Sequence, residues 1–203
     1  MLPSAAGIID PLLSTGIALT LLGIDRLAGI IEEAWDTEEF PVRLENLNHQ
    51  TLSELDATAR LVSALYANLH DFEVFTALTL LYFAAASYSE SARRLGRPNL
   101  ARSFLLHDDP RFGPALAACC GNALGLKSAE QRIALIENIH RAIAPFDIAG
   151  LCRPDRRGWY RVEAEDFINA AHKLGVIPEQ AAQALEKSGF SFASRTKPDE
   201  NHP

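Results

Sequence analysis

Cysteine, methionine and tryptophan are scarce in this chain, with three, one and two residues among 203. Cys119 and Cys120 are adjacent and no C-x-x-C pair occurs. A disulfide framework and a C-x-x-C zinc or redox motif are therefore excluded, and a reducing, cytoplasmic setting is expected. Positive charge is also short. The net charge is -7, and the basic clusters (Arg93, Arg94, Arg97; Arg153, Arg156, Arg157) are brief and interrupted, so no nucleic-acid partner is expected. The most apolar stretch, residues 17–31, is broken by Asp25 and Arg26 and falls short of the ~20 apolar residues of a membrane span. No basic n-region opens the chain, so no signal peptide is indicated. Six histidines stand without His-x-x-x-His or Glu-x-x-His spacing, and no metal site is expected. Period-two alternation is missing, apart from one short candidate strand at 159–162. Repeats of solenoid period are absent.

What is present is helix after helix, and the fold class expected is all-α. Ser14 or Thr15 can cap a helix beginning near Gly16. Ile17, Leu21, Ile24, Ala28 and Ile31 then recur at three- and four-residue spacing, giving one continuous apolar face. Glu32, Glu33 and Asp36 oppose the helix dipole at its end, which predicts a solvated terminus. Thr51 is read as opening a second helix with Leu55, Leu61, Leu65 and Leu69 on its buried side. Asp71 can cap a third, with Phe72, Phe75, Leu78, Tyr82, Phe83 and Ala86 facing inward. Arg93, Arg94, Gly96 and Pro98 form its stop. Further helices are predicted at about 114–124, from the Ser128–Gln131 capping box to about Ile143, and at about 164–174 and 178–188. Residues 154–160 read as a charged turn and 194–203 as a polar, frayed tail.

One segment differs from an ordinary helix start. It runs Leu2-Pro3-Ser4-Ala5-Ala6-Gly7-Ile8-Ile9-Asp10-Pro11-Leu12-Leu13-Ser14-Thr15-Gly16. Pro11 drives Asp10 into an extended conformation. Ser-Thr-Gly follows at a helix N-terminus, where amides and dipole favour an anion or an electron-rich ring edge. Gly16 lets a ligand approach the backbone. The same three residues can equally serve as a simple cap.

Residues 7–16 resemble the Gly-Phe-x-Asp-Pro-x-x-Ser-Thr-Gly segment of flavin-dependent halogenases and related FAD-dependent oxidoreductases of monooxygenase type. The resemblance is specific over about residues 2–35 and extends to about 190 only in helical character and order. It implies that the segment passes beside the isoalloxazine ring of FAD and enters a long helix. It further implies that the later helices pack on the FAD domain and help to enclose a small-molecule substrate. Gly7 matches a close-approach glycine, Asp10 and Pro11 the Asp-Pro beside the flavin, and Ser14, Thr15 and Gly16 the Ser-Thr-Gly near halide and flavin.

Departures from the pattern set limits. Pro3-Ser4 stand where the family has Gly-Asp, so Ser4 can offer a hydroxyl but no charge-assisted bond to the ribityl chain. No G-x-G-x-x-G is present, nor the family's catalytic lysine or Trp-x-Trp-x-x-Pro segment. The expectation is a C-terminal piece of an FAD-dependent oxidoreductase or monooxygenase, inactive alone, whose partner is the N-terminal FAD-binding region. Its cofactor-binding residues would be Ser4, Gly7, Asp10, Pro11, Ser14, Thr15 and Gly16, with no catalytic residue of its own. Residues 1–35 would close the FAD domain, 36–192 form a helical domain and 193–203 a tail. The rival expectation is a non-enzymatic helical interaction module.

Other groups have two readings each. Cys119 and Cys120, in an Ala-rich stretch, read as core or as a redox pair. His107-Asp108-Asp109-Pro110 reads as a turn or as a metal or acid–base cluster. Phe72, Phe75, Tyr82 and Phe83 read as core or as the lining of an aromatic pocket, and residues 155–160 as a solvated turn or an anion site.

Overall fold

The computed structural model describes residues 2–153 and 163–189. Among them every regular element is helical: α1 (Pro3–Ala6), α2 (Thr15–Ala34), α3 (Glu39–Ala67), α4 (Phe72–Arg94), α5 (Phe112–Ala123), α6 (Ala129–Ile143), α7 (Ala164–Asn169) and α8 (Pro178–Lys187). Short 3-10 turns occur at Leu12–Ser14, Pro98–Leu100, Phe104–Leu106 and Ala171–Leu174. The expected all-α class is observed. The proposed strand, the charged turn with its anion-site reading and the polar tail lie outside the described residues.

The central helix is α4, which packs against α3, α5, α6 and the 3-10 turns at Pro98–Leu100, Phe104–Leu106 and Ala171–Leu174. The core it organises is built from residues such as Leu61, Leu65, Leu78, Leu81, Phe112, Leu135, Ile139 and Ile143. Removing this apolar surface from water drives the assembly. The ends of α4 form as the capping residues predict. The Val74 amide donates to Asp71 Oδ1 at 3.2 Å, and the Arg97 amide closes on the Ala92 carbonyl at 2.8 Å around Gly96 at φ 69°. Its inward face differs from the expectation. Phe72 and Phe83 point outward, while Val74, Ala77, Leu81, Ala84, Ala85, Tyr88 and Ala92 join Leu78 in the interior. Both sides of α4 carry apolar residues, so periodicity alone leaves its rotation open. The alanine-rich side lets neighbouring helices approach closely and takes the interior.

The second helix also differs from the expectation. It begins at Glu39, twelve residues before Thr51, and Leu69 lies exposed beyond its end. Its buried seam, Leu47, Thr51, Glu54, Thr58, Leu61 and Leu65, repeats at alternating four- and three-residue steps. Three members of that seam are polar, which hides it from a search for apolar periodicity. Structure satisfies two of them: Thr58 Oγ1 donates to the Glu54 carbonyl at 2.6 Å, and Glu54 receives Arg26.

Helices α2 and α3 form an antiparallel hairpin, with Arg26 paired to Glu54 and Glu33 to Arg43. Only Thr15, Leu19, Gly23 and Ala34 of α2 are buried. The apolar stripe of Ile17, Leu21, Ile24 and Ile31 faces outward, with Leu21 62% exposed. The helical run Leu12–Ala34, with α2 at its heart, and α4 are each long and apolar enough to cross a membrane. This corrects the length argument above, which stopped at residue 31. Helix α4 is nonetheless a core helix, and α2 carries Asp25 and Arg26 at its middle.

The later elements agree with the sequence. Ser128 Oγ accepts from the Gln131 amide at 3.3 Å to start α6. Gly175 and Gly189, at φ 65° and 88°, follow the last two helical segments.

Candidate functional site

The segment from Pro3 to Asp10 lies along the α2–α3 hairpin. A Cβ added at Gly23 would fall 2.5 Å from Pro3 Cδ, so that glycine forms the notch that lets α1 rest on α2. Further along, Gly7 lies against Leu55 of α3. Asp10 then reaches the position of Tyr66, near the end of α3. The Tyr66 hydroxyl, and next the Leu12 amide at 2.9 Å, hold the Asp10 carboxyl below its ordinary value. The carboxylate in turn raises the Tyr66 phenol.

From Pro11, in helical conformation at φ -65°, the chain tightens into a 3-10 turn. Leu13 (φ 64°, ψ 8°) and Ser14 (φ 52°, ψ 29°) occupy the left-handed region in succession. Each such non-glycine residue costs on the order of 1–3 kcal/mol and persists only where surrounding structure holds it. Ser14 is the N-cap of α2 by position, but its hydroxyl makes no cap bond. Thr15 is fully buried and its Oγ1 has no hydrogen-bond partner. The side-chain capping expected of Ser14 or Thr15 is therefore not made, because the left-handed turn carries Ser14 out of capping geometry.

These features enclose an open cleft of about 570 Å³. Of the seven sequence-predicted residues, Ser4, Gly7, Pro11, Ser14 and Gly16 line it, whereas Asp10 turns to Tyr66 and Thr15 to the interior. The walls are otherwise mostly apolar, from Ile8, Ile9, Ile17, Leu21 and Leu55, with the Thr20 hydroxyl donating to the Gly16 carbonyl at 2.8 Å. Ile8 is 96% exposed, and a Cβ added at Gly16 would meet nothing within 4 Å. The cleft offers flat apolar surface, two serine hydroxyls and an exposed helix start. It can accept one edge of a planar ring. No charged side chain lines it, so it provides no ionic partner for a pyrophosphate.

The structure adds Gly23, Leu55 and Tyr66 to the site. Gly23 was detectable as an isolated glycine within a helical pattern, which commonly marks close packing. Leu55 and Tyr66 come from another helix, and no local signal marks them. A second cleft of about 350 Å³ lies between α2 and α3 beside Arg26 and Arg43, whose charges are already matched by Glu54, Glu33 and Glu39.

The remaining groups take simple places. Cys119 and Cys120 are buried in the core. Asp109 Oδ1 accepts from the Arg111 and Phe112 amides at 2.8 and 3.0 Å, which makes the His107–Pro110 stretch a turn that opens α5. In the aromatic stripe Phe72 and Phe83 are exposed, whereas Phe75 and Tyr82 are half-buried.

Fold and cleft thus define an all-helical protein with a half-open apolar site at the start of one helix. Comparison of the chain with protein-family models, curated proteins and solved structures finds no match.

Proposed function

We propose that this chain forms the helical, flavin-facing wall of an FAD-dependent oxidoreductase of monooxygenase or halogenase-like type. A dinucleotide-binding region supplied by other polypeptide completes the site. The observation that carries the reading is the convergence of Ser4, Gly7, Pro11, Ser14 and Gly16 on one cleft that opens onto the uncovered stripe of α2. Contiguous exposed apolar surface of this kind marks a contact with another body. A self-sufficient interaction module shares the exposed stripe, but it has no use for a strained turn and an empty-sided glycine beside it.

In this reading Gly16 and Pro11 lie against the isoalloxazine edge, and Ser4 and Ser14 offer hydroxyl groups to its polar rim. Asp10 holds the turn from behind. When bound, FAD supplies the redox chemistry. The chain contributes shape, exclusion of water and one wall of a small-molecule substrate chamber. The pyrophosphate belongs to the partner region, so the chain alone binds flavin weakly and turns nothing over.

Flavin-fluorescence titration of the 203-residue chain tests this. FAD and riboflavin are expected to be quenched with similar, weak affinity, because only the ring is contacted. Gly16→Val fills the cleft without disturbing packing, and quenching by both ligands should vanish. Tight stoichiometric FAD binding to the chain alone, or equal quenching by the variant, would overturn the assignment.

A further inference from the structure

Ser53 and His107 stand 54 residues apart, one in the middle of α3 and the other in the loop before α5, yet Ser53 Oγ lies 2.8 Å from His107 Nε2. The second ring nitrogen, Nδ1, is 3.3 Å from the Phe104 carbonyl oxygen. A carbonyl can only accept, so the ring proton sits on Nδ1 and Nε2 is left to accept from the serine hydroxyl. A hydroxyl, a base and a third group that orients the base is the arrangement that activates a nucleophile.

The loop that presents His107 is held against strain. Leu105 and Leu106 both lie in the left-handed region, at φ 57° and 50°. The Phe104 amide donates to Glu54 Oε1 at 2.8 Å. Glu54 is 1% exposed and is gripped by two 2.8 Å bonds from Arg26. Ser103 bonds to Asp108 within the loop. A Cβ at Gly113 would fall 2.0 Å from the His107 carbonyl oxygen, so only glycine lets α5 begin this close. Backbone strain fixed from several sides is a recurrent property of working sites.

We propose that Ser53 and His107 form a nucleophile–base pair that accepts acyl groups from activated esters. Ser53 Oγ bonds to the ester carbonyl carbon as its proton passes to His107 Nε2, which hands it on to the leaving oxygen or sulfur as that bond breaks. Water then attacks the acyl-serine, the freed His107 Nε2 takes one water proton, and it returns that proton to Ser53 Oγ as the acyl–oxygen bond breaks and the carboxylic acid leaves. Ser53 is mid-helix, so its amide is committed to the helical ladder and cannot stabilise the oxyanion. One such donor is worth about 10²–10³ in rate, which limits the substrates to aryl esters and thioesters whose leaving groups depart readily. The pair is distinct from the flavin-facing cleft: Leu55, which lines that cleft, is two residues on and roughly 200° around α3.

The test is incubation of the full chain with p-nitrophenyl acetate, following p-nitrophenolate release and mapping the acetyl group by mass spectrometry in samples acid-quenched during the release, before water clears the acyl-serine. A single acetyl on Ser53 is expected. Ser53→Ala, an exposed position, should keep the native circular dichroism and lose the label, and His107→Gln should slow acetylation about 100-fold. Unlabelled Ser53, acetyl on another residue, or release by Ser53→Ala as fast as by the native chain would overturn the proposal.

Discussion

At the residue scale, the buried carboxylate of Glu54 is the most consequential polar group. Its partners tie α2, α3 and the loop before α5 together: Arg26, Gln50 and the Phe104 amide. Arg26→Met would leave that carboxylate buried without its cation, a change that costs about 3–5 kcal/mol. Urea denaturation should show the loss as a lower midpoint at unchanged slope. The three thiols show the effect of burial on acidity. Burial pushes Cys119 to about 11; burial and then the neighbouring Cys119 push Cys120 to about 12; burial and then Asp147 push Cys152 to about 12. A thiol raised this far is protonated at neutral pH and is a poor nucleophile. Iodoacetamide at pH 8 should label none of them until denaturant is added. An unfolded thiol ionises at about 8.5. The fold is therefore favoured fully below that pH and loses this stability as pH rises toward 11–12. Gly23→Ala sets two effects against each other. Alanine gains about 1 kcal/mol of helix propensity, while contact with Pro3 displaces α1. Hydrogen exchange should rise across residues 3–9 with little change in melting temperature.

At the scale of the element, α2 passes from core to surface along one cleft wall. Leu19 and Leu21 both line the cleft, yet Leu19 is buried and Leu21, two positions on, is exposed. Leu19→Ala should cost about 2–5 kcal/mol. Leu21→Glu should change stability by no more than about 0.5 kcal/mol, yet abolish the quenching of flavin, because Leu21 forms part of the cleft wall. Paired denaturation and titration of the two variants check both halves of this contrast. Element ends were mostly legible from local chemistry. Asp71, Ser128 and Gly175 act within a few residues of themselves, and each sits where the sequence places it. The start of α3 was not legible, because its seam passes through Thr51, Glu54 and Thr58. Glu54 and Thr58 become core residues only when Arg26 and a local carbonyl satisfy them.

Across the whole molecule, an aromatic cluster joins distant parts of the core. Phe146 packs edge-on against Tyr88 and Phe112, with ring centroids 5.2 and 5.1 Å apart, and the Tyr88 hydroxyl donates to the Lys173 carbonyl at 3.0 Å. Phe146→Ala should cost about 3–5 kcal/mol, and thermal unfolding should show it as one cooperative transition at lower temperature. The candidate site was partly legible: a proline, glycines and a Ser-Thr-Gly start mark a special backbone, and of these Gly7, Pro11, Ser14 and Gly16 meet in one cleft. Tyr66, Leu55 and the Ser53–His107 pair were not, since each depends on a contact between segments far apart in the chain. The order of amino acids determined the helical class and most helix ends, because capping, turn preference and periodicity act over one or two helical turns. Only tertiary packing decided how α4 is rotated, that the apolar stripe of α2 faces outward, and which polar groups meet. Those outcomes depend on close packing and on pairing of buried charge across the chain, which no local window contains.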